Sequence, residues 1–144
     1  MENKNKILIV DDSNVNIAIL YEAMAEHYSL MVASSGEEAL AVVEDFSPDL
    51  ILLDIMMPGI DGYETCRRLR ANPNLKNVRI IMVSAKTLVS ERLKGYEAGA
   101  DDYLTKPFEE EELLAKVRVY LRLKPVDVAA RSFPWRSRGR SRIL

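Results

Sequence analysis

Four short aliphatic runs, KILIV (6–10), YSLMVA (28–33), LILLD (50–54) and RIIMVS (79–84), punctuate the first part of the chain, each followed by residues with helical spacing. Runs this apolar lack the alternation of a strand with one wet face. They read as strands of a parallel sheet buried on both sides, whose connections cross over through helices. A fifth run, DYLT (102–105), is weaker. Helices are expected over 14–27, 37–46, 62–71, 87–98 and 109–123. In the last, Leu113, Val117 and Leu121 recur at i, i+4 and i+8 with Leu114 alongside; in the fourth, Val89, Leu93 and Tyr96 draw a similar stripe. Ser35 before Gly-Glu-Glu is an expected N-cap, Pro48 and Asn72-Pro73 are helix stops, and Gly99 sits just past a helix end. The β-α order, five times over, predicts an α/β domain with a parallel sheet covered on both faces.

A chain of 144 residues that is 48% hydrophobic has room for one packed domain. No stretch reads as a signal peptide, and no apolar run approaches the roughly 20 residues that span a bilayer. A cytoplasmic protein without a membrane partner is therefore expected. One cysteine, Cys66, closes no internal disulfide, and with the single His27 it makes no zinc cluster. Any metal must be held by oxygen. The net charge of −2 conceals an asymmetry: residues 124–144 carry Lys124 and five arginines against Asp127, a balance of +5 that leaves −7 for residues 1–123. Residues 4–123 are read as the domain, and nucleic acid is not expected as their partner. The basic remainder, with two prolines and no helical stripe, is read as a linker or disordered tail, a remnant of truncation or cloning in one reading and a contact for nucleic acid or an acidic surface in another.

In an open parallel sheet, ligands collect beyond the carboxyl ends of the strands where the strand order reverses. On that rim the first strand delivers Asp11 and Asp12, the third Asp54, the fourth Ser84, and the fifth leads into Lys106-Pro107. Three neighbouring carboxylates repel one another unless a cation joins them. Mg²⁺, with Mn²⁺ as the alternative, takes oxygen ligands and binds through a few carboxylates plus phosphate. Lys106 and Ser84 supply a charge and a hydrogen bond for phosphoryl oxygens. The rim suits a phosphoryl group beside a metal.

The set LIVDD (8–12), LILLDIMMPGIDGYE (50–64), MVSAK (82–86) and GADDYLTKPF (99–108) resembles the receiver domain of two-component response regulators, in order and spacing, over about residues 4–123. The resemblance implies a flavodoxin-like (βα)5 three-layer sandwich whose strands run in the order 2-1-3-4-5. It implies that Asp54 is the phospho-acceptor, taking a phosphoryl group from a phosphohistidine on a sensor histidine kinase or a histidine phosphotransfer domain. Asp11, Asp12, Asp54 and the backbone carbonyl of Met56 would hold Mg²⁺, Asp11 partly through water. Lys106 would stabilise the transferring group, Ser84 would be the switch hydroxyl, and Tyr103 the aromatic that turns inward behind it. The Lys106–Pro107 bond would be cis. Catalysis would be confined to the domain's own phosphorylation and dephosphorylation, with dimerisation or output contacts on the face formed by helix 4, strand 5 and helix 5.

Each residue also has a plainer reading. Packing against the sheet edge is the lesser alternative for Tyr103, and loop packing an even one for Met56-Met57. Asp61 reads as an N-cap before it reads as a metal ligand, and Cys66 as a core residue of the third helix. His27 suits the C-terminus of the first helix, where a cation is favourable, better than a phosphoryl relay. Two rival functions stand beside the receiver: a docking module that is never phosphorylated, and an aspartyl-phosphate hydrolase, which would want an acid where Met56 stands. The chain is either a stand-alone receiver or part of a longer regulator, and YLRLKPVD (120–127) favours the second.

Overall fold

A computed structural model describes residues 4–123. The basic residues 124–144, read above as a linker or tail, lie outside the described residues. Five strands, β1 (Lys6–Val10), β2 (Ser29–Ala33), β3 (Leu50–Asp54), β4 (Arg79–Ser84) and β5 (Asp102–Thr105), alternate with five helices, α1 (Asn14–Met24), α2 (Gly36–Phe46), α3 (Gly62–Ala71), α4 (Val89–Ala98) and α5 (Glu110–Arg122). All strand pairs are parallel, in the order β2-β1-β3-β4-β5. The order reverses between β1 and β3, so the end of that pair is the switch point where a crevice opens.

Alternation along each strand divides the core in two. Leu8, Val10, Ile51 and Leu53 face α2 and α3, packing with Ala39, Val43, Cys66 and Leu69. Ile7, Ile9, Leu50 and Leu52 face the other way, onto Leu20 and Met24 of α1 and Leu113 and Val117 of α5. Every residue of β3 is buried, which is why that strand reads as an unbroken aliphatic run. Caps fix the helix starts: the hydroxyls of Ser13 and Ser35 accept from Asn16 N and Glu38 N, and the Asp61 carboxylate accepts from Glu64 N.

The first helix ends at Met24, not His27. The Ala25 N–H still bonds to Tyr21 O, and the chain then turns, with His27 N donating to Met24 O. His27 is thus an exposed turn residue, and its nearest charged partner is Glu26 at 4.0 Å. Val89, Leu93 and Tyr96, the apolar stripe of the fourth helix, are 61%, 54% and 42% exposed, while Gly95 and Ala98 are buried. A side chain at Gly95 would meet Met82 Sδ at 2.8 Å. The side chains of Met82, Tyr103 and Tyr63 fill the space beneath Gly95, so the small residues of the helix lie inward and its large apolar side chains are left outside.

The connection from β3 to α3 is held close by Gly62, whose N–H donates to Ile55 O at 2.8 Å. A Cβ at this position would collide with the Asp54 carbonyl and stand 2.6 Å from Ile55 Cα. Both neighbours are backbone of a buried strand end and have no room to give. Gly62→Ala should lower the unfolding free energy by roughly 1–3 kcal/mol, read as a reduced urea midpoint at unchanged m-value. An unchanged midpoint would mean that the loop is free to move away from Asp54.

Candidate phosphoryl and metal site

β1 and β3 are paired with Val10 opposite Leu53, so Asp11, just past β1, and Asp54, the last residue of β3, stand side by side. Asp11 and Asp54 are buried, while Asp12 faces solvent at the mouth. One carboxylate oxygen from each of the three lies within 4.8 Å of the others. The Asp11 carboxylate is oriented by Ser13 N, which donates to Oδ1 at 2.9 Å. Its other oxygen accepts from Lys106 Nζ at 3.2 Å, and Lys106 reaches Asp54 Oδ1 at 3.5 Å. The backbone of Lys106 is anchored to β4, its N–H donating to Ser84 O at 2.8 Å, and the Lys106–Pro107 peptide bond is cis.

The electrostatics follow from this crowding. Burial raises the Asp54 pKa, the Asp11 charge raises it further, and Lys106 opposes both. One ammonium serves two buried carboxylates, with a third at the rim. The donor set is all oxygen, acidic and open on one side through Asp12, and so fits a hard divalent cation such as Mg²⁺ better than a soft one.

Ser84 is buried, and its Oγ accepts from Lys86 N at 3.3 Å. The Lys86 carbonyl in turn accepts from the Tyr103 hydroxyl at 2.7 Å. Tyr103 is therefore turned inward, with burial raising its pKa. Ser84, Lys86 and Tyr103 form one chain of contacts leading from the site toward β5. The Lys86 ammonium pairs with Glu91 at 2.9 Å, and the Tyr63 hydroxyl donates to Glu91 O at 3.1 Å. Met56 is 62% exposed, so only its backbone is available for a fixed role. Cys66 is wholly buried, and burial pushes its thiol up to about 11, as suits a core residue.

Sequence reading did not single out Ser13, Glu37 or Glu91. Ser13 carries a visible signal, a serine between two acids and a helix, where an N-cap is expected. Glu37 touches the loop after Asp54 from 23 residues away, and no local pattern announces it.

The model of the response regulator receiver domain matches residues 7–118. The chain belongs to that family. It is 40% identical over 122 residues to the response regulator PleD of Caulobacter vibrioides, covering 84% of this chain and 27% of PleD. To the response regulator MprA of Mycobacterium leprae it is 44% identical over 128 residues, covering 88% of this chain and 55% of MprA. The chain thus spans between about a quarter and about half of these curated relatives. Among solved structures, a putative response regulator from Chloroflexus aurantiacus matches with a TM-score of 0.80 at 39% identity, over 84% of this chain and 100% of that one. A BeF3-activated DrrB receiver domain matches with a TM-score of 0.77 at 32% identity, over 83% of this chain and 99% of that one. The fold is accordingly the flavodoxin-like fold of CheY-like receivers, and the chain is a signalling receiver of the response regulator kind. No helix among the described residues is long and apolar enough to cross a membrane.

Proposed function

We propose that Asp54 is the phospho-acceptor of this receiver, and that residues 4–123 form the phosphorylated unit, with residues 124–144 outside it. The observation that carries this reading is the Lys106 ammonium bridging Asp11 and Asp54 at the switch point, with Asp12 alongside. A carboxylate held at the end of a rigid strand, beside a cation and an acidic oxygen cluster, is a nucleophile placed where phosphoryl charge can be neutralised. Activation of the similar DrrB receiver by BeF3, a complex with the shape of a phosphoryl group, supports the same reading.

Asp11, Asp12, Asp54 and the Met56 carbonyl would hold Mg²⁺ (or Mn²⁺), which when bound would neutralise charge on the phosphoryl oxygens and on the acids themselves. An Asp54 oxygen attacks the phosphorus of a phosphohistidine. The P–N bond breaks, and the histidine nitrogen of the donor leaves with the bonding pair. Lys106 moves its ammonium from Asp54 to the incoming phosphoryl oxygens. Ser84 then exchanges its bond from Lys86 N for one to the phosphoryl group. That exchange loosens the β4–α4 connection, on whose Lys86 carbonyl the Tyr103 hydroxyl rests. Phosphorylation so biases an equilibrium between two arrangements of this segment.

The donor in this reading is a sensor histidine kinase or a histidine phosphotransfer domain in the cytoplasm. Catalysis is limited to the domain's own phosphorylation and dephosphorylation. The exposed Val89, Leu93 and Tyr96 on α4, adjoining β5 and α5, form the surface for an output domain or a second copy. A small-molecule phosphodonor with Mg²⁺ should give an acid-stable, base-labile label on the protein, and chelating the metal should reduce labelling at least about a hundredfold. Labelling that is indifferent to chelation would overturn the metal assignment, and absence of any label with Mg²⁺ present would favour the docking-only module.

A further inference from the structure

We propose that Glu37 is a positioning residue for the metal site: its carboxylate, reaching across from α2, fixes the tip of the loop after Asp54 and thereby sets the affinity for Mg²⁺. The inference rests on the reading above in which the Met56 carbonyl is a metal ligand. That carbonyl belongs to a loop of residues 55–61 whose backbone must be held still if it is to serve. At its base the loop is tied by Gly62 N donating to Ile55 O at 2.8 Å, and the buried Ile55 and Met57 bracket Met56. At its tip the tie comes from outside the loop. Ile60 N donates to Glu37 Oε2 at 3.2 Å.

The same carboxylate lies against Gly59. This glycine has a φ of +80°, and a Cβ there would stand 2.6 Å from Glu37 Oε2 and 3.0 Å from Oε1. The backbone conformation demands glycine, and a side chain there would displace the Glu37 carboxylate. The N-terminus of α2 is itself built as a firm base for Glu37. Ser35 caps it, Glu38 accepts from Ser34 N at 2.6 Å and from Ser34 Oγ at 3.0 Å, and Gly36 packs against Ile60 and Thr65. An acid in the first turn of a helix is favourable for the helix alone, so the proposal must be separated from that ordinary role. The two differ in what they require: the helix uses the charge, whereas Ile60 needs an acceptor oxygen.

Titration calorimetry with Mg²⁺ and hydrogen exchange at the Ile60 amide, both on the full chain, make the test. Glu37→Ala should weaken Mg²⁺ binding roughly three- to tenfold, the scale of one ordinary solvent-exposed hydrogen bond lost, and speed exchange at Ile60. Glu37→Gln, which keeps an acceptor, should stay within about twofold of the parent on the same scale. Unchanged Mg²⁺ affinity in Glu37→Ala, or equal weakening in both variants, would overturn the proposal. Asp12→Asn run in parallel separates the two levels. If Asp12→Asn binds Mg²⁺ as tightly as the parent, the metal reading itself fails; if Asp12→Asn loses binding and Glu37→Ala does not, only the assignment of Glu37 fails.

Discussion

Asp54→Asn should accept no phosphoryl label and, in the absence of divalent metal, should melt at a higher temperature than the parent protein. The loss of label follows because the amide has no nucleophilic carboxylate oxygen. The gain in stability follows from the direction of the Asp54 pKa. Folding raises it above the ordinary 3.8, through burial first and the Asp11 charge second. A raised carboxylate favours the folded state most while it is protonated, below the unfolded value. That contribution is lost as pH rises through the folded value, so at neutral pH the ionised Asp54 is a burden on the metal-free fold. Asparagine keeps the shape and removes the charge. A rise of a few degrees at pH 7, corresponding to about 1 kcal/mol in a domain of this size, should shrink as pH falls toward the carboxylate range. Mg²⁺ should raise the melting temperature of the parent more than that of the variant. A variant that melts below the parent at pH 7 would show that Lys106 more than compensates the burial of Asp54.

Lys106→Ala should retain Mg²⁺ binding and yet be phosphorylated roughly 10²–10³-fold more slowly at saturating metal, the usual cost of removing one preorganised donor from developing charge. Lys106 Nζ is 3.2 Å from Asp11 and 3.5 Å from Asp54, so it competes with a cation for both acids. Metal affinity should therefore not fall when it is removed, whereas the rate should. Initial rates of labelling across a Mg²⁺ titration separate these effects. A plateau rate within a factor of about two of the parent, against the much larger loss expected for such a donor, would remove Lys106 from the reaction and leave it as a counter-ion.

Most of the architecture was legible because burial on both faces of the sheet leaves nearly continuous aliphatic runs, and β1, β3, β4 and β5 begin and end where those runs do. The site residues were legible for a related reason: an acid at the end of such a run departs sharply from the run itself. Periodicity in α4 identified a helix but not its inward face. Apolar spacing records only which side chains share a stripe, and here the side chains of Met82, Tyr103 and Tyr63 crowd Gly95 and leave the small residues of the helix inside. His27 was misplaced by three residues because a frayed helix end followed by a turn carries no stop signal like the proline at 48 or 73. The contacts of Glu37 with Ile60, and of Tyr103 with Lys86, join segments far apart in the chain. Such contacts depend on the packing of whole elements, which local residue patterns do not encode.

The central claim is that one particular carboxylate among several neighbours carries the phosphoryl group. Borohydride reduces an acyl phosphate and converts the acceptor aspartate into homoserine, which peptide mass spectrometry locates. After treatment with a small phosphodonor and Mg²⁺, homoserine should be found at position 54 and nowhere else. Homoserine at position 11, 12 or 61, or phosphate retained on His27, would contradict the account.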